Sequence, residues 1–123
     1  MKLELDNNPN ILSVNSIDNQ TVRVNQSEEK LPIAVNAVRI LDLDLPASFN
    51  LMQEQHWFAL VEFNDFVILC GTGTTHKFLP IELEDKLSRK GIVIDLMTTQ
   101  AACRTFTLLS SDKRDVLAIL FSE

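Results

Sequence analysis

The sequence predicts one α/β domain in which a largely parallel sheet with helices is joined to a β-rich amino-terminal portion. Three observations carry this. The 123 residues match the size of one domain, and area scaling buries roughly two-thirds of the unfolded surface, enough for a core without disulfides or metals. The chain changes character near residue 50, from short strand-like stretches (11–50) to alternating helix and strand (51–123). Within the second part, Phe66-Val67-Ile68-Leu69-Cys70 is a continuous apolar run, the mark of a strand covered on both faces.

Each element follows from its residues. Residues 1–10, with Asn7-Asn8-Pro9-Asn10, read as loose. Ile11 to Val14 and Thr21 to Val24, separated by the polar stretch Asn15 to Gln20, predict a hairpin. Leu31 to Val35 and Val38 to Leu45 are further strands. In the latter, Ile40, Leu41, Leu43 and Leu45 against Asp42 and Asp44 bury one face, and Pro46 closes the run. Gln53 to Phe63, with Trp57, Phe58, Leu60 and Val61, has helical spacing. Pro80 opens the next helix and Gly91 stops it in the left-handed conformation. Leu83 and Leu87 face inward there, and Glu82/Lys86 and Asp85/Arg89 form i,i+4 pairs outside. Ile92 to Leu96 reads as another buried strand. Thr98 or Thr99 caps a helix running to about Ser111, whose core face holds Ala101, Ala102, Thr105, Phe106, Leu108 and Leu109. Asp115 to Phe121 is the last strand. This order implies right-handed crossovers.

Composition excludes several functions. A net charge of −6 repels phosphate backbones and anionic membrane surfaces, and no basic cluster is interleaved with aromatics, so nucleic acid is not an expected partner. Cys70 and Cys103 form no CxxC motif and read as free buried thiols in a reducing compartment. Neither a signal peptide nor an apolar stretch of membrane-spanning length is visible, so a cytoplasmic protein without membrane insertion is expected. The acidic residues lack metal-ligand spacing with His56 and His76, and no metal or cofactor is expected.

Two segments are candidates for chemistry. The chain has three glycines, and two of them fall in Cys70-Gly71-Thr72-Gly73-Thr74-Thr75-His76. This loop follows a buried strand, at the carboxyl edge where open α/β sheets bind ligands. Its amides and the hydroxyls of Thr72 and Thr74 could hold an anion; equally, Gly71 and Gly73 could serve a tight connection. The second segment, Met97 to Thr105, places Thr98 and Thr99 at a helix start with positive dipole potential. Cys103 lies near enough to that start for its thiol pKa to fall, or it is a small packed thiol. Arg104 is an anion ligand or a structural brace. Cys103 and Arg104 lie about 100° apart on the helix and do not converge, and a Cys103–His76 dyad has only the shared sheet edge behind it.

A longer series of residues carries a resemblance. Gly71-Thr72-Gly73, Phe78-Leu79-Pro80, Leu87, Gly91-Ile92, Met97, Thr99, Ala101 to Phe106, Leu109, Arg114, Val116 and Ala118-Ile119-Leu120 occur in the order of one family signature. The chain resembles the domain-of-unknown-function family that includes complex I assembly factor three and the adipogenesis-associated Mth-like domain protein. The similarity spans about residues 21–121. It implies a three-layer fold with a mixed central sheet of about five strands plus a small β layer. It implies no catalysed reaction, and its mitochondrial member acts by associating with respiratory-complex subunits. The chain departs from the family pattern in several places. Thr98 replaces the usual aspartate, Gln100 a glycine, Phe106-Thr107 a tyrosine-asparagine pair, and Asp112-Lys113 a glutamate-glycine pair. The loss of an acid at position 98 removes a candidate general base, which weakens an enzyme more than a binder.

The expectation is therefore a cytoplasmic, non-catalytic interaction or assembly protein with respiratory-complex subunits as partners by resemblance. The alternative is a small-molecule or anion binder, an enzyme included. It would use Gly71, Thr72, Gly73, Thr74, Thr98, Thr99, Cys103 and Arg104.

Overall fold

The computed structural model describes residues 11–122, so the expectation of a loose segment at 1–10 lies outside the described residues. Among the described residues, eight strands form two sheets. β1 (Val14–Ser16), β2 (Thr21–Val24) and β3 (Ser27–Lys30) make a small antiparallel sheet. The larger sheet has the order β5-β4-β8-β6-β7, with β4 at Ile33–Asn36, β5 at Ile40–Leu41, β6 at Val67–Gly71, β7 at Ile94–Met97 and β8 at Val116–Leu120. Its β5–β4 and β4–β8 pairs are antiparallel, whereas β8–β6 and β6–β7 are parallel. The parallel half is the part built by helical crossovers, α2 (Ile81–Arg89) between β6 and β7 and α3 (Thr99–Ser111) between β7 and β8.

Two cores sit on opposite faces of this sheet. On one face Phe106, Ala102 and Cys103 of α3 pack with Val14, Val22 and Val24 of the small sheet against Val35, Leu69, Ala118 and Leu120. On the other face Trp57, Leu60, Leu87 and Ile92 pack on Ile68, Cys70, Leu117 and Ile119. Period-two alternation explains the split, since neighbours such as Leu69 and Cys70 point to opposite faces. β8 is buried at every position, as its central place requires.

Several elements differ from the sequence expectation. The strand Leu31 to Val35 is divided by a cis Leu31–Pro32 peptide and begins at Ile33. β3, Ser-Glu-Glu-Lys, was not foreseen, because a solvent-facing polar strand has no apolar period to read. The Val38 to Leu45 run pairs only at Ile40–Leu41, yet Leu43 and Leu45 still pack inward while Asp42 and Asp44 are exposed. Gln53 to Phe63 is not one α-helix. α1 (Glu54–Phe58) gives way to a 3-10 turn at Ala59–Phe63. Trp57, Leu60 and Phe63 recur every third residue, and three residues per turn keeps all three on the core side. Ile92 to Leu96 reads as buried but β7 lies at the sheet edge, with Asp95 exposed and Val93 69% exposed. An apolar run cannot by itself distinguish a central strand from an edge.

The helix ends follow the expected chemistry. Pro80 stands at the N-cap of α2. At its far end Ile92 N–H donates to Leu87 O (2.9 Å) and Gly91 N–H to Ser88 O (3.0 Å), with Gly91 at φ +78°. This is a Schellman motif, with Ile92 and Leu87 buried together. The Asp85–Arg89 pair forms (2.9 Å), but Lys86 meets Glu54 (2.8 Å) rather than Glu82 and links α2 to α1. α3 ends on the same motif, Arg114 N–H to Leu109 O and Lys113 N–H to Ser110 O, both 3.0 Å. Here the left-handed position is Lys113, at φ 61°, which strains a side-chain-bearing residue. Lys113→Gly should therefore raise stability by about 0.5–1 kcal/mol in urea unfolding.

The core face of α3 is also rotated from the one expected. Thr99, Ala102, Cys103, Phe106 and Ser110 are buried, whereas Leu108 is 71% exposed. Small residues at the start of α3 let its backbone approach the sheet, and Phe106 fills the space farther along.

Candidate functional site

The glycine loop and the start of α3 meet at the carboxyl edge of the sheet, held by a closed set of hydrogen bonds. Thr72 N–H donates to Met97 O (2.8 Å). Its buried hydroxyl donates to Thr75 O (2.6 Å) and accepts from Lys77 N–H (3.1 Å), which folds residues 72–77 into a compact turn. Gly73, at φ +105°, makes a reciprocal pair with Thr99. Thr99 N–H donates to Gly73 O (2.9 Å), and Gly73 N–H donates to Thr99 Oγ1 (2.9 Å). The Thr99 hydroxyl then donates to Phe121 O (2.6 Å), just past β8. One buried threonine thus joins α3, the loop and the end of the chain.

Gly71 is required by proximity rather than by backbone angle. A Cβ placed there would lie 2.7 Å from Thr99 Cα and 2.7 Å from Thr99 Oγ1. The absent side chain lets α3 start against the end of β6. Thr98 is the N-cap, its hydroxyl accepting from Ala101 N–H (3.2 Å).

The eight candidate residues divide into two groups. Gly73, Thr74, Thr98 and Thr99 line one cleft of about 280 Å³, together with Gln100, with Ser16 at the end of β1 and with Ile17, Asp18 and Asn19 from the turn after it. Gly71 and Thr72 are buried beside this cleft and do not line it. Cys103 faces the core, and burial pushes its thiol up to about 11, outweighing the opposing effect of the Arg104 charge. The helix start does not lower this thiol, because Cys103 lies on the sheet-facing side of α3. Burial likewise raises Cys70 to about 12. Arg104 is exposed, does not line the cleft and makes no hydrogen bond or ion pair among the described residues. His76 is exposed and stacks on Phe78, ring centroids 4.3 Å apart, with no hydrogen bond to Cys103 among the described residues.

Ser16, Ile17, Asp18, Asn19 and Gln100 line the cleft without being singled out by sequence reasoning, and Asp18 is the charged one among them. Its carboxyl accepts from Gln20 N–H (2.9 Å), and this bond holds it below the usual carboxylate range. The polar stretch Asn15 to Gln20 announces a turn, but nothing local to it shows which loop it will meet. Among the described residues no group of His, Cys, Asp and Glu side chains could hold a metal ion, and no helix is long and apolar enough to cross a membrane.

Comparison with known proteins gives three kinds of likeness. Residues 14–121 match the family model described as Protein of unknown function (DUF498/DUF598). The 13 kDa major membrane protein of Francisella tularensis subsp. holarctica (strain LVS) is 26% identical over 98 residues, 79% of this chain and 80% of that protein. NADH dehydrogenase (ubiquinone) 1 alpha subcomplex assembly factor 3 of Danio rerio is 33% identical over 90 residues, 72% of this chain. The match spans only 52% of the Danio protein's length. The solution structure of a Bordetella pertussis protein, described as a Mth938-like domain, superposes with a TM-score of 0.74 at 23% identity, covering 99% of this chain and 92% of that one. At that identity the likeness is one of fold. It agrees with the mixed five-stranded sheet and small β layer described above.

Proposed function

The chain belongs to the DUF498/DUF598 family, and from that premise we propose that it works by binding other proteins, as an assembly factor, rather than by turnover. The observation that carries this is the likeness to a relative named as an NADH dehydrogenase assembly factor. The surface supports it. Ile81 (75% exposed) and Val93 (69%) are large apolar side chains that line one groove beside α2, and exposed apolar residues that share one surface mark interaction sites. On this reading the partners are subunits of a respiratory NADH dehydrogenase, met from the cytoplasmic side of the membrane. Tagged full-length chain, purified from its own cells and analysed by mass spectrometry, should be enriched in those subunits. Recovery of the chain without them would overturn the reading.

A second reading, capture of a small anion at the start of α3, is favoured by the one cleft that Gly73, Thr74, Thr98 and Thr99 share. Asp18 in the same wall opposes it by charge. Orthophosphate added to the full chain should then raise the melting temperature, and Thr98→Ala should reduce that rise. No rise at millimolar phosphate would exclude an anion site there.

A further inference from the structure

β7 ends the five-stranded sheet, so one of its edges has no strand beside it among the described residues. Met97 O accepts from Thr72 N–H on the β6 side, and strand alternation then turns the peptide groups of Asp95 and Met97 towards β6 and those of Ile94 and Leu96 outward. Exposed edges are commonly guarded by a very short strand, by charged side chains, lysine above all, or by proline; β7 has four residues and one charge, Asp95, with neither lysine nor proline. Against this edge, on the α2 face, lies an open groove of about 360 Å³ whose walls include Ile81, Glu84, Asp85, Val93 and Ile94.

Charge decides what fits there. The groove's lining holds two carboxylates and no cation. Arg89 engages Asp85, whereas Glu84 has no ion-pair partner among the described residues. Asp95 adds an exposed carboxylate on β7 itself. A second copy of the chain is a poor occupant. Two molecules of net charge −6 repel, and antiparallel pairing of β7 with itself about Asp95 would oppose two like charges directly.

We propose that β7 is a docking edge that receives an extended, basic segment of a partner protein as a sixth strand. Apolar side chains of the segment fill the groove beside Ile81 and Val93. Lysine or arginine alternates with them and meets Asp95 on the opposite face. Main-chain bonds to Ile94 and Leu96 supply affinity, and the side-chain alternation supplies specificity. The proposal rests on the interaction-protein reading above and names where and what that interaction is.

An eight-residue peptide alternating valine and lysine, titrated into the full chain and followed by amide NMR, tests the edge directly. The expected result is perturbation and slowed exchange of the Ile94 and Leu96 amides, with a valine–glutamate peptide binding more weakly. Asp95→Lys, at an exposed position, should weaken the lysine peptide by roughly three- to tenfold and narrow the gap between the two peptides. Perturbations confined to other elements, equal binding of both peptides, or a dimer joined through β7 would each overturn the proposal. Co-purification separates the two levels. If Val93→Lys/Asp95→Lys chain still brings down NADH dehydrogenase subunits as wild type does, the β7 edge is wrong and the assembly reading stands. If wild type brings down none while the peptide binds at β7, the assembly reading fails and the edge stands.

Discussion

Thr99→Val is expected to lower folding stability by about 2–6 kcal/mol, out of proportion to a swap of one hydroxyl for a methyl of similar shape. The cost comes from the partners left behind. Thr99 Oγ1 accepts from Gly73 N–H and donates to Phe121 O, and Thr99 is itself buried. A methyl group can do neither. It leaves one donor and one acceptor unpaired, and each such group costs about 1–3 kcal/mol where water cannot replace the partner. Relief by movement is restricted, because Gly71 already lets Thr99 approach to the limit of contact. Thr99→Ser keeps the hydroxyl and should retain most of the stability. Urea unfolding of the three proteins measures the difference, and hydrogen exchange at Gly73 shows where it arises. A Thr99→Val loss below 1 kcal/mol would mean that the loop and α3 are held by packing alone.

The same residues show how far the sequence could be read. The apolar run before Cys70, the Pro80-to-Gly91 bracket and the Thr98 cap are local signals, each set by contacts within a few residues, and each appears in the structure near its expected place. What failed was non-local. β3 is polar throughout and exists because β2 offers it a ladder. β7 reads as buried like β6, but it has one neighbour in the sheet instead of two. The helical face read from the spacing includes Leu108 and omits Cys103, whereas in the structure Cys103 is buried and Leu108 exposed. In the structure small residues, not large ones, are what the sheet admits at the start of α3. The candidate site shared this limit. Proximity of the two loops followed from the order of strands and helices, whereas the arrival of Asp18 required knowing where the small sheet packs.

Where that small sheet packs turns on Phe106, and Phe106→Ala should cost about 3–5 kcal/mol, the range for removing a buried phenyl ring. Phe106 is fully buried in the cluster that contains Val14, Val22 and Val24 of one sheet and Leu69, Ala118 and Leu120 of the other. Its ring occupies the interior that α3 and both sheets share, so truncation opens a cavity there instead of relieving a surface. The neighbouring residue adds a polar clamp: Thr107 Oγ1 donates to Val14 O (3.1 Å) and accepts from Val14 N–H (3.2 Å). Phe106 and Thr107 together therefore carry the attachment of β1 to α3, the ring by packing and the hydroxyl by direction. If so, the loss should be unevenly distributed. Amides of β1 and β2 should lose exchange protection in Phe106→Ala well before those of β6 and β8, whose opposite face is packed by Trp57 and Leu87. Uniform loss of protection across all strands would instead show that the small sheet and the five-stranded sheet unfold as one unit, with Phe106 contributing to the whole equally.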